Sequence, residues 1–213
     1  MGVVIDDADV FWLALTRLGQ AEVVMPAAVL TAVVLWRTPE HRSVAIRWLA
    51  GLFAAGVLTT ASKVAFIGWG WGSAALDFTG ISGHAMLAAV LYPVLLGLSM
   101  SRQRGLRAWH GVVMGTLLAL AVGESRIRLH AHSVSEVAAG LALGAAVSCA
   151  VLAAGKLGTA RAPHWAMGLL LLWLIGMPAS GPPSHAETVV ARLALAWSGR
   201  ERLHTRAELH LKP

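Results

Sequence analysis

Apolar positions along this chain gather into runs scarcely interrupted by charge, not into the alternating or one-faced patterns of soluble strands and helices. The runs fall at 21–36, 44–67, 84–100, 108–123, 134–154 and 165–178. About 20 apolar residues carry a helix across a bilayer, and shorter runs fit by tilt or local thinning. A helix also satisfies its own backbone polar groups, as hydrocarbon requires. The pattern therefore predicts an all-α fold, a polytopic membrane helical bundle of about six transmembrane helices spread over residues 21–178. Ahead of it, 1–20 form an N-terminal segment in which 11–18 is too short to span and suits an interfacial helix. Behind it, 179–213 hold the end of a Pro/Gly/Ser link, an amphipathic stretch at 184–197 and a basic tail from Arg200.

Composition strengthens the membrane reading. Hydrophobic residues make up 57% of the 213 and charged residues 13%, where soluble domains carry about 25% charged. The 22 glycines suit close helix packing, and Gly140 and Gly144 read as packing positions, not phosphate loops. Cys149 stands alone in an apolar run, which leaves no disulfide framework and no Cys-rich metal site.

The net charge of +6 does not point to nucleic acid, because the cations sit mostly in short links and in the tail. Arg37, Arg42 and Arg47 mark one side of the bundle; Arg102, Arg104 and Arg107, then Lys156 and Arg161, return to it after successive pairs of crossings. Cations mark the cytoplasmic side. Residues 68–83 and 124–133 then share the exoplasmic side with the acidic Asp6-Asp7, whose charge is opposite to that of a signal-peptide start. The expected location is a bacterial-type inner (plasma) membrane, crossed several times, with the polar loops facing the periplasm or exterior.

Those loops hold the candidate chemistry. Lys63 lies near the end of the second run, Ser82-Gly83-His84 open the third, and Arg126, His132 and Glu136 surround the start of the fifth. His132 and Glu136 are four apart, so they share a helix face. A carboxylate there can take the Nδ1 proton and leave Nε2 free to attack. Backbone N–H groups at a helix start can cradle an anion near Ser82-Gly83, while Lys63 and Arg126 supply positive charge. This arrangement predicts in-line phosphoryl transfer: His132 attacks phosphorus, His84 protonates the departing oxygen, and water then cleaves the phosphohistidine with His84 as base. It calls for no cofactor and no metal. Plainer roles stand beside these. Glu136 can pair with Arg126 or Arg128, His132 can be a structural hydrogen bonder, Lys63 can snorkel, and Ser82 can simply cap a helix. Arg128 and His130 are either further phosphate contacts or headgroup-facing surface. Asp77 and Glu124 read as loop solvation or pairing.

Ser125-Arg126, five residues, His132, three residues and Glu136 resemble the third signature of the type 2 phosphatidic acid phosphatase superfamily, Ser-Arg-x5-His-x3-Asp. Ile81-Ser82-Gly83-His84 is similar to its second, Pro-Ser-Gly-His, and Lys63 resembles the lysine opening its first, Lys-x6-Arg-Pro. The resemblance implies a six-helix membrane bundle in which His132 is the nucleophile, Glu136 its acidic partner and His84 the acid–base histidine. It also implies that Lys63, Ser82, Gly83 and Arg126 bind phosphate. Three positions depart from the pattern: Ile81 replaces Pro, Glu136 replaces Asp, and Gly70-Trp71 stand where Arg-Pro would follow Lys63. Arg128 and His130 are the candidates to compensate for that arginine. Members act on phosphatidic acid, phosphatidylglycerol phosphate, isoprenyl diphosphates and lipid A phosphates, so a membrane lipid phosphate or diphosphate is the implied substrate. A lipid phosphotransferase and a non-catalytic anion-binding or transport-like protein are the alternatives.

Overall fold

The computed structural model describes residues 7–37, 39–100, 104–153, 173, 185–200 and 202–211. The elements in chain order are α1 (Asp7–Arg17), α2 (Ala21–Trp36), a 3-10 turn (Pro39–His41), α3 (Arg42–Trp69), α4 (Gly83–Met100), α5 (Arg104–Arg128), α6 (Val134–Leu152), α7 (His185–Ser198) and α8 (Arg206–Leu211). The fold is the expected all-α bundle. Among the described residues, four stretches are long and apolar enough to cross a membrane: Asp9–Trp36, Pro39–Trp69, Gly83–Met100 and Val134–Leu152. The expected fourth crossing, 108–123, lies inside the 25-residue α5, which is long enough but is not among those four. Arginines at both ends and a polar last turn dilute its apolar centre. Apart from Trp173, the expected sixth crossing, 165–178, and the link that follows it lie outside the described residues.

Helix α4 is the centre of the bundle. It packs on α5 and α6, with α2 and α3 completing its surround, and twelve of its residues are buried. Glycines let the neighbours come this close. A Cβ at Gly140 would lie 2.5 Å from the Ser82 carbonyl oxygen, and one at Gly144 would collide with that of Met86. These are the packing glycines of the sequence reading, and dispersion gained by such approach is what holds helices together in lipid. Two polar aromatics add hydrogen bonds. Buried Trp48 donates from Nε1 to the Val90 carbonyl at 3.2 Å, tying α3 to α4, and the Tyr92 hydroxyl donates to the Leu18 carbonyl at 2.6 Å. Outward positions stay apolar, among them Val29, Phe53, Leu58, Met114 and Leu117, as a lipid-facing belt would be.

Helix α7 lies along the upper half of α3, with Ala194 and Ser198 against Gly68. This packing occupies one side of the amphipathic stretch 184–197. Helix α1 also packs into the bundle, against α5, so the short N-terminal helix does more than lie at an interface. The ends of α3, α5 and α7 and the starts of α4, α6 and α8 meet on one face of the molecule.

Candidate functional site

The site is built where four chain segments converge. Helix α3 ends at Gly70, whose left-handed φ of 71° caps the helix; the Gly70 and Trp71 N–H groups close the last turn on the Phe66 and Ala65 carbonyls. The turn that follows doubles back through a bridge between Ser73 and Phe78. Gly80, with φ 146°, brings the chain against the Lys63 stem, where a Cβ would lie 2.9 Å from Cγ. The loop is then fastened on both sides: Ile81 N–H donates to Ser62 Oγ at 3.0 Å, and Ser135 Oγ donates to the Leu76 carbonyl at 2.7 Å.

The next anchor joins the loop to the fifth apolar run. Ser133 caps α6 in a capping box: Glu136 N–H reaches Ser133 Oγ at 3.4 Å, and Ser133 N–H donates to Glu136 Oε2 at 3.1 Å. This local pattern turns the Glu136 carboxylate back over the helix start, beneath His132. There His132 Nδ1 lies 2.6 Å from Glu136 Oε2. Glu136 is fully buried, and an ionised carboxylate only accepts, so Nδ1 carries the proton and Nε2 is left with its lone pair. Thr79 donates to Oε1 from its N–H at 2.6 Å and from its hydroxyl at 2.5 Å. Arg206 Nη2 lies 2.8 Å from each carboxylate oxygen.

His132 itself is 9% exposed. Burial pushes its pKa down, and the Glu136 hydrogen bond only partly offsets this, so the net shift is below the ordinary histidine value. The imidazole is therefore neutral near pH 7, the form a nucleophile needs. Lys63 and Arg126 are close enough to act electrostatically on both His84 and His132, and His132 on His84. Lys63, Ser82, Gly83, His84, Arg126, His132 and Glu136 thus come together from α3, α4, α5 and α6.

The surroundings distinguish some of the alternatives left by sequence. Ser82 is fully buried, and its hydroxyl has no hydrogen-bond partner. It is therefore not a side-chain cap for α4, whose start is exposed to whatever occupies the site. The Ser82 N–H is already committed to the Glu136 carbonyl at 3.1 Å, which narrows the expected amide cradle to the Gly83 and His84 end of the first turn. Those N–H groups lack intrahelical acceptors, and a Cβ on Gly83 would meet nothing nearer than Thr59 Cγ2 at 3.8 Å. Arg126 donates from Nη1 to Thr16 Oγ1 at 2.9 Å, a partner on α1. Arg128 is turned outward instead: it pairs with Glu124 at 2.6 Å and lies 5.8 Å from the Trp12 ring. His130 is exposed at a left-handed turn position, φ 51°. Both side chains are exposed at the surface.

Three partners of the site escaped the sequence reading: Thr16, Thr79 and Arg206. Thr79 precedes the Ser82-Gly83-His84 motif by three residues, and that proximity was the available signal. Arg206 lies 70 residues from Glu136, with no spacing to betray it.

A buried acid–histidine pair beside a second histidine and two cations, at one end of a helical bundle, defines a membrane protein with the equipment for phosphoryl chemistry. Comparison with known proteins agrees. The family model described as PAP2 superfamily matches residues 68–158, which contain both histidine motifs. Over 209 residues, spanning 93% of this chain and 97% of the relative, the sequence is 36% identical to an "Uncharacterized 22.5 kDa protein in cps region" of Klebsiella pneumoniae. No solved structure gives a significant match. The chain belongs to the PAP2 superfamily, whose members are phosphatases, and this supports a phosphoric ester hydrolase in general terms.

Proposed function

We propose that the protein is a metal-independent phosphatase of lipid phosphates or diphosphates, working through a phosphohistidine at the exoplasmic membrane face. The observation that carries this reading is the His132–Glu136 pair with its free Nε2, set beside His84 and two cations. His132 Nε2 attacks phosphorus and the bond to the ester or bridging oxygen breaks. His84 delivers a proton to that oxygen, so the lipid leaves as an alcohol or monophosphate. Water, deprotonated by His84, then attacks the phosphohistidine; inorganic phosphate departs and His132 regains its lone pair. Lys63, Arg126 and the N–H groups at Gly83 and His84 face the charge that builds on the equatorial oxygens.

A cavity of about 200 Å³ supports the lipid half of the reading. Its lining combines Lys63, Gly83 and His84 with the apolar Met25, Leu87 and Val190. A phosphate held by the first three would leave its hydrophobic remainder near apolar side chains. Arginines at the ends of α2 and α3 remote from the site support an exoplasmic location for it, since cations favour the cytoplasmic side. The test is a phosphate-release screen of purified protein against diacylglycerol, isoprenyl and lipid A phosphates, with H132A as control. Release that H132A abolishes is expected; undiminished release by H132A overturns the mechanism.

A further inference from the structure

The strongest unexplained feature of the molecule is that its C-terminal segment reaches into the site. His204 N–H donates to the Ile67 carbonyl at 3.0 Å, docking the segment on the end of α3. There Thr205 and Glu208 form a capping box that starts α8: Thr205 N–H donates to Glu208 Oε2 at 3.1 Å and Glu208 N–H to Thr205 Oγ1 at 3.3 Å. Leu209 is buried beside Gly72. Asp77 takes a second grip, accepting from Arg206 Nη1 at 2.5 Å and standing 2.8 Å from His210 Nε2. Asp77 holds a left-handed φ of 47° to do so, a conformation that Asp tolerates better than most residues. Each of these contacts fixes the one residue between them that touches the acid.

Resting on the phosphatase reading, we infer that Arg206 is a positioning residue of the reaction, acting on His132 through Glu136. The guanidinium Nη2 bonds both oxygens of Glu136 and also lies 3.2 Å from Thr79 Oγ1. It approaches the carboxylate from the tail, while His132 Nδ1 meets Oε2 from the start of α6. A buried carboxylate with a single imidazole partner is costly and free to rotate or take up a proton. With Arg206 and Thr79 in place its plane is fixed and its charge balanced. It can then orient the imidazole without drawing a full positive charge onto it, and His132 stays neutral for attack.

Two consequences follow for variants. In R206A the carboxylate loses its fixed plane, so kcat falls while KM stays near wild type, because Arg206 does not face the phosphate. The uncompensated carboxylate also raises the affinity of His132 for a proton, so the acid limb of the kcat–pH profile moves to higher pH. The expected loss in kcat is about 10- to 100-fold, as for one hydrogen bond to a charged group. R206K should recover part of the rate, and guanidinium ion added to R206A should do the same while leaving H132A inactive.

The experiment is kcat, KM and the pH profile of phosphate release for wild type, R206A, R206K and H132A in detergent, with thermal unfolding of each. Wild-type kcat and pH profile in R206A overturn the inference. So does a loss in R206A that comes without a pH shift and without recovery by lysine or guanidinium, since that is what a purely structural contact would give. Should R206A not fold, R206Q, which keeps a donor but removes the charge, carries the test through its own displaced acid limb, and an R206Q profile identical to wild type overturns the inference. These failures leave the phosphatase reading standing so long as H132A is inactive. A wild-type protein without turnover on any of the phosphates overturns that reading and the role of Arg206 together.

Discussion

The backbone N–H of Ser82 donates to the carbonyl oxygen of Glu136 across 3.1 Å, so the two histidine-bearing helix starts are joined through their main chains. The join persists one turn further on, where Gly140 lies against the Ser82 carbonyl too closely to admit a Cβ. Spacing between His84 and His132 is thus a property of α4–α6 packing, not of either motif alone. Gly140→Val should push the helices apart and destabilise the protein by about 1–3 kcal/mol, the usual cost of overpacking, with activity falling alongside. Gly83→Ala is the contrast, because a Cβ there meets only ordinary contact distance. It should leave the unfolding temperature unchanged and raise KM, since the methyl group enters the space assigned to phosphate. Thermal unfolding in detergent together with phosphate-release kinetics separates the two; equal behaviour of the variants would refute this division between packing and binding glycines.

Glu136→Gln tests the orienter. The carboxylate accepts from His132, Ser133, Thr79 and Arg206, and no amide can accept at both ends. One amide –NH2 must face a donor, leaving a buried group unpaired at a cost of about 1–3 kcal/mol. The protein should still fold, and its rate should drop about 100- to 10,000-fold, the scale of a lost acid–base partner. Circular dichroism and kcat check both halves, and wild-type kinetics in E136Q would show that the acid has no part in catalysis. Glu136→Asp restores the family's usual acid and should keep measurable activity.

The acid limb of kcat/KM follows from His132. Attack requires the unprotonated imidazole, and burial lowers its affinity for the proton. As pH falls, protonation and hence loss of rate set in only below the ordinary histidine range, near 6.5. The rate should therefore be flat through neutral pH and decline in more acidic solution. The measurement is kcat/KM against pH on a short-chain phosphate, with the substrate's own second ionisation corrected for. An acid limb at or above pH 6.5 contradicts the neutral, buried nucleophile.

Much of this was legible because it is local. The apolar run 21–36 and α2 coincide, since composition and helix end together at Trp36. Helix α3 extends beyond its run 44–67 at both ends, to Arg42 and Trp69, because backbone hydrogen bonding continues into residues that prefer the interface. His132 and Glu136 were readable as a pair from a four-residue spacing, and the capping box at Ser133 explains why that spacing works. Arg128 was ambiguous because its helix also offers Glu124 four residues back, and that nearer partner prevails. Arg206 was out of reach, since nothing local announces that a tail docks on the end of α3. The absent arginine after Lys63 has a visible counterpart: Gly70 ends the helix there with a left-handed residue, a conformation arginine would adopt only under strain.

The docked tail also bears on orientation. Arg206 reaches Glu136 and Asp77, so the C-terminal segment lies on the face that holds both histidines, although its charge would favour the cytoplasm. The arginines at the start of α3 and the end of α2 argue for the opposite face being cytoplasmic, and their position next to apolar spans gives them more weight than a tail held by specific ion pairs. Leu76 is 63% exposed in the loop above the site and takes part through its carbonyl alone, so a cysteine there should leave the ion pairs intact. In a Cys149→Ala background, Leu76→Cys should react with a membrane-impermeant maleimide added outside intact cells or spheroplasts. A cysteine in place of Arg37, at the other end of α2, should react only after the membrane is opened. Labelling of residue 76 solely in opened membranes would reverse the topology and put the lipid phosphate in the cytoplasmic leaflet.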